Sequence, residues 1–120
     1  MWTFTAYILW RLHEDVLAPS GREYITIDEL GDFVFNVLWK KYRLVLNDST
    51  AELEREVLYL AKLGAVEYDR GRIRVREKLG EIARAVGESS LNDTLTLYPE
   101  YLRRIDLAVA ELKRSHLTYP

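Results

Sequence analysis

Between residues 53 and 76 a helical spacing gives way to strict alternation, and that junction constrains the chain more than any other feature. Leu53, Val57, Leu60 and Ala61 recur at three- and four-residue steps, the period of a helix with one buried face. Gly64 follows, a residue suited to the left-handed position just past a helix end. Ala65-Val66-Glu67-Tyr68 then reads as a short strand and Asp69-Arg70-Gly71 as a three-residue turn with glycine at the positive φ. In the returning strand, Arg72 to Arg76, alternation puts Ile73 and Val75 on one side and Arg72, Arg74 and Arg76 on the other. A lone two-stranded hairpin is marginal in water, so the rest of the chain must close over this unit.

The remaining segments are read as helices. Phe4, Tyr7, Ile8, Leu12 and Val16 place a first helix over Thr3–Leu17, closed by Pro19, Ser20 and Gly21. Arg22 to Ile25 is a short extended piece. Thr26 with Glu29 matches a capping box opening a second helix, whose core stripe is Ile27, Leu30, Phe33, Val34, Val37 and Leu38. Phe35, Trp39 and Tyr42 make a second apolar row on that helix, which calls for cover by loops, the C-terminal segment or another chain. Ser49 with Glu52 is a further capping box, opening the third helix. A short fourth helix, Leu79–Val86, is expected to stop at Gly87. A polar connection from Glu88 to Thr96 leads to Pro99, which sits well in the first turn of a last helix. That helix carries a stripe of Tyr101, Leu102, Ile105, Ala108, Val109 and Leu112.

Composition removes several classes of function. The 120 residues include no cysteine, which excludes disulfides, thiolate zinc sites and a thiol nucleophile. The hydrophobic fraction of 48% and a net charge of −2 argue against disorder. No apolar run approaches the roughly 20 residues of a membrane span, and residues 1–10 lack a signal-peptide pattern; a soluble cytoplasmic protein is expected. There is no Walker loop, no G-x-G-x-x-G and no nucleophile elbow. His13, Glu14 and Asp15 are successive on a helix and point in different directions, and His116 is remote from them, so each histidine reads as an ordinary surface group. No enzyme activity, cofactor or metal is expected. Absent glutamine, a single methionine, and arginines outnumbering lysines twelve to five fit a thermophile.

The element order is helix, short strand, helix, helix, hairpin, further helices. From about Thr26 to Arg76 it resembles the winged helix-turn-helix superfamily. The stretch Leu60-Ala61-Lys62-Leu63-Gly64 looks like the end of a recognition helix with its glycine stop, and residues 65–76 look like the wing. Arg22–Ile25 would be the small strand that pairs with it. One departure is the extra length of Phe35–Leu46 ahead of the third helix. The expected fold is therefore mostly α with a small β-hairpin. A winged-helix domain over 1–87 would be followed by a polar connection and C-terminal helix over 88–120, serving either the same domain or dimerisation.

The resemblance implies DNA binding and gene regulation, and the charges speak on both sides. From Arg70 to Arg84 there are six bases and two acids. Arg72, Arg74 and Arg76 repeat at about 6–7 Å, close to a phosphate spacing of roughly 7 Å along one DNA strand. Arg70 at the turn is placed for a minor groove. Lys40, Lys41 and Arg43 form a second basic group, and Ser49, Thr50 and Arg55 stand at the start of the third helix. Against this, Glu52, Glu54 and Glu56 are expected to face outward with Arg55, Tyr59 and Lys62, where three carboxylates would repel phosphates. The wing arginines also have Glu67, Glu77 and Glu81 nearby as exposed partners. The alternative is a winged-helix protein–protein interaction module without DNA. A terminal helix in winged-helix regulators often makes the dimer contact, so a homodimer through Phe35, Trp39, Tyr101, Leu102, Ile105, Val109 and Leu112 is implied.

Overall fold

In the computed structural model, residues 1–118 are described, with side chains through Ser115. Among the described residues, five helical elements accompany a small sheet. Helix α1 (Trp2–Leu12) runs on as a π-helical segment, His13–Leu17, in which the Ala18 amide reaches back to the His13 carbonyl at 2.9 Å. Strand β1 is Ile25–Thr26. Helix α2 (Ile27–Asp32) also widens into a π-helical segment, Phe33–Trp39, and ends in a short turn, Lys40–Tyr42, capped by Arg43 in the left-handed region. Helix α3 is Thr50–Lys62, strands β2 and β3 are Val66–Asp69 and Arg72–Val75, and helices α4 and α5 are Glu77–Leu91 and Tyr98–Thr118. The chain is mostly helical with one three-stranded antiparallel sheet, ordered β1-β3-β2.

Local signals set the helix ends. Both halves of the Thr26–Glu29 capping box form, and Arg22 clamps the same Glu29 carboxylate with two bonds of 2.7 Å. Ser49 accepts from the Glu52 amide at 3.2 Å, but the Glu52 carboxylate turns to Asn47 instead of completing its box. Gly64, at φ 77°, ends α3: the Ala65 amide bonds Leu60 and the Gly64 amide bonds Ala61, both at 3.0 Å, while Leu60 and Ala65 are buried together.

The hairpin turn is tighter than expected. Asp69 pairs directly with Arg72, leaving a two-residue loop in which both Arg70 (φ 52°) and Gly71 (φ 75°) are left-handed. Such a loop carries the twist that matches the strands it joins.

Helix α1 is the hub of the core. Phe4, Thr5, Ala6, Ile8, Leu9 and Leu12 are all buried, so more than one face is covered. Helix α4 packs along it and extends past Gly87 to Leu91, correcting the expected stop. Gly80 and Gly87 lie seven residues apart on α4, facing α1: Gly80 against Trp10 and Gly87 against Tyr7. These glycines permit close approach of two helices and do not end one. Helix α5 crosses both π-helical segments, and Leu102, Ile105, Ala108 and Val109 join the same core as Leu9 and Leu30. Burying each of the larger of these side chains contributes about 1.5–3 kcal/mol. Tyr7 adds a bond of 2.7 Å to Asp106 of α5, and the second apolar row of α2 is partly covered where Tyr42 bonds Glu111. Residues 88–118 thus contribute to the core of residues 1–87.

That packing bears on the expected dimer contact. Leu102, Ile105 and Val109 are buried within the chain itself, and Tyr101 and Leu112 are half-buried against it. An amphipathic stripe looks the same in sequence whether its own domain or a second copy covers it. Of the residues named for the contact, only Trp39 is exposed, with Phe35 half-buried beside it at 6.2 Å between ring centres.

Candidate nucleic-acid interface

Helix α3 buries Leu53, Val57 and Leu60. At 100° per residue, the opposite side is Ala51, Arg55, Leu58, Tyr59 and Lys62, and all five are exposed. No acid lies in this stripe. The three glutamates expected to face outward are instead drawn to its flanks and half-buried.

Each glutamate has partners from other parts of the chain. Glu56 accepts from Thr5 at 2.6 Å and Asn47 at 2.8 Å, and lies 2.8 Å from the Met1 amino group. Burial works to raise its pKa, but these bonds outweigh burial and leave the carboxyl below its usual value. Glu52 receives Asn47 at 3.2 Å. On the other flank Glu54 accepts from the Tyr68 hydroxyl of β2. Burial, reinforced by that bond, pushes the Tyr68 pKa up to about 12. The expected carboxylate repulsion on the outer face of α3 is therefore corrected, because Thr5, Asn47 and Tyr68 claim those side chains.

Tyr59 is positioned by an edge contact with Trp2, 5.2 Å between ring centres. Leu58 and Tyr59 are 47% and 43% exposed. Among the described residues, Arg55 and Lys62 have no ion-pair partner, so two free cations flank an exposed aromatic and an exposed leucine. The spacing of 51, 55, 58, 59 and 62 is present in the sequence; Arg55, Tyr59 and Lys62 face outward as expected, and projecting α3 against its own core stripe would have added Leu58 to the face.

The hairpin presents its arginines as alternation requires: Ile73 is buried, and Arg72, Arg74 and Arg76 are exposed. All three are engaged. Arg72 lies over the Tyr24 ring at 4.9 Å, Arg74 is 3.2 Å from Glu23, and Arg76 is 2.5 Å from Glu67. The expected partner Glu67 is thus found, whereas Glu23 replaces Glu77 and Glu81. The two ion pairs are at least half exposed on every side chain, a setting in which a pair contributes about 0–1 kcal/mol and yields to a competing anion. Arg70, at the turn, is exposed and has no partner among the described residues.

The second basic group is anchored elsewhere. Lys41 is 2.5 Å from Glu111 of α5, and the Arg43 carbonyl accepts from Arg104 at 3.5 Å. Lys40 is exposed. Ser49 spends its oxygen on capping α3, and Thr50 is exposed at the first position of that helix. His13 stacks on Trp10 at 5.6 Å, and the His116 side chain lies outside the described residues. Among the described residues no three His, Asp or Glu side chains converge as metal ligands, and no helix is long and apolar enough to cross a membrane.

No protein-family model matches the chain, and neither curated proteins nor solved structures give a match.

Proposed function

We propose that this chain is a winged-helix module that binds duplex DNA, with α3 entering the major groove and the β2–β3 hairpin lying along the adjacent backbone. The observation that carries this reading is the outer face of α3: Arg55, Leu58, Tyr59 and Lys62, with every acid of the helix turned aside. Arg55 and Lys62 reach phosphates or guanine edges, and Leu58 offers apolar contact to a thymine methyl. Arg70, Arg72, Arg74 and Arg76 neutralise phosphates once Glu23 and Glu67 release them. The order α1-β1-α2-α3-β2-β3 and the sheet order β1-β3-β2 support the winged-helix reading.

The test is a fluorescence-anisotropy titration of random duplex DNA at several salt concentrations. Six phosphate contacts, from Arg55, Lys62, Arg70, Arg72, Arg74 and Arg76, give a slope of about −5.4 in log affinity against log salt. Changing Arg55 and Lys62 together to Ala lowers affinity at every salt concentration and flattens the slope by about 2. Absent binding at low salt, or binding indifferent to that double change, refutes the proposal. Leu58 and Tyr59, together with the internal pairing of Arg74 and Arg76, favour one second reading, a protein-interaction module. It is the reading retained if duplex DNA does not bind.

A further inference from the structure

At the α4–α5 corner an apolar surface opens at the edge of the core. Trp2, Phe4, Ile82, Val86, Tyr98 and Leu102 line a groove of about 460 Å³ between the start of α1, the second half of α4 and the start of α5. The segment joining two of its walls, Ser90 and Tyr98, contains Leu91, Leu95 and Leu97. These are 85%, 94% and 64% exposed. With the exposed parts of Met1 and Tyr98 they offer apolar surface on the order of several hundred Å², the size of the largest patch on a typical monomer.

The segment is not a loose tail. Asp93 accepts from the amides of Leu95 (2.9 Å) and Thr96 (3.0 Å) and from the Thr96 hydroxyl, and Thr96 caps the Tyr98 amide at 3.2 Å. The leucines are held outward beside a groove of matching chemistry. Two of the charges next to them are held inside the chain: Asp93 by the hydrogen bonds of its own turn, and Glu100 by Arg103 and Arg104 at 2.7 and 3.1 Å. An isologous contact places each patch against its own copy, so uncompensated charge would repel itself. This patch has apolar knobs and an apolar groove, and the exposed Arg84 and Glu88 lie on the side of α4 away from the groove wall of Ile82, Ala85, Val86 and Ser89.

We propose that the α4–α5 corner is a two-fold self-association surface, in which the Leu91–Leu97 segment of each copy seats in the Trp2–Ile82–Tyr98 groove of the other. Two such patches remove on the order of 1,000 Å² from water, the size a specific interface has to reach. The inference stands independently of DNA binding. The surface shares only Leu102, a buried groove wall, with the contact expected from sequence, whose Ile105 and Val109 the chain buries in its own core.

Light scattering of the full chain after size exclusion, over a series of concentrations, tests it, with sedimentation velocity as a second measure. The wild type is expected as a dimer at high micromolar concentration. Leu95→Asp with Leu97→Asp removes the knobs and Ala85→Arg fills the groove; each raises the dimer dissociation constant at least about 100-fold. All three positions are exposed, so both variants keep the wild-type circular dichroism spectrum and melting cooperativity. Mixing the two variants restores partial dimer, since the pair retains one intact knob and one intact groove. A wild type that stays monomeric overturns the proposal. So does a dimer that survives either folded variant, or one that Trp39→Asp dissociates instead.

Discussion

Two glycines on one helix should respond to the same substitution with opposite signs. Gly80 and Gly87 both lie inside α4, where replacing glycine by alanine ordinarily stabilises by about 0.5–1 kcal/mol, through helix propensity and a stiffer unfolded chain. A methyl at Gly87 would meet only one ring carbon of Tyr7, at 3.9 Å, an ordinary contact. A methyl at Gly80 would sit 2.7 Å from Cη2 and Cζ2 of Trp10 and 3.1 Å from its Cε2. The indole cannot simply turn away, because it stacks on His13 and packs against the core. Overpacking of this kind costs about 1–3 kcal/mol. Gly87→Ala should then stabilise by about 0.5–1 kcal/mol, and Gly80→Ala should destabilise by about 1 kcal/mol net. Urea unfolding with matched m-values measures both, and the shared unfolded-state effect cancels in their difference. In a Trp10→Leu background, which opens the space, Gly80→Ala should become stabilising. Equal effects at the two glycines, or no coupling between positions 10 and 80, would refute the packing argument.

Three further outcomes follow from local geometry. Arg22, aided by the Thr26 amide and hydroxyl, holds the Glu29 carboxyl at about 2 against its usual 4.5. Its contribution is therefore complete above the usual value and is lost as pH falls through the lowered one. Glu29→Gln should be less stable than wild type at neutral pH, with the gap closing between about pH 5 and pH 2 in thermal melts; a gap that stays constant over that range would count against it. Arg70→Asn places a residue that tolerates the left-handed region at the first turn position, and should raise stability by roughly 0.5–1 kcal/mol while weakening duplex binding. Ile105→Ala should cost about 2–5 kcal/mol in urea unfolding. A loss under 1 kcal/mol would mean that α5 does not pack on its own core.

What was legible in the sequence is what neighbouring residues decide among themselves. The Thr26–Glu29 box, the Ser49 cap, the Gly64 stop and the alternation of Arg72–Arg76 each depend on groups a few positions apart, and each is present in the structure. The turn at Arg70–Gly71 was located, and only its length differed, because register across the strands makes Asp69 and Arg72 partners.

Whatever depends on distant partners could be decided only by the tertiary structure. Gly87 carries the same local signal as Gly64, yet α4 continues through it to Leu91, its flank packed along α1 with Tyr7 3.9 Å from where a Cβ would stand. The glutamates of α3 read as a repulsive face until Thr5, Asn47 and Tyr68, brought in by α1, the preceding loop and the sheet, draw them to the flanks. The stripe on α5 specified that one face must be buried, and packing decided that its own chain buries it. The sequence by itself determines periodicity and caps, because backbone hydrogen bonds and φ preferences act over a few residues. Which side chain meets which depends on contacts between elements far apart in the chain, and these exist only once the helices have packed.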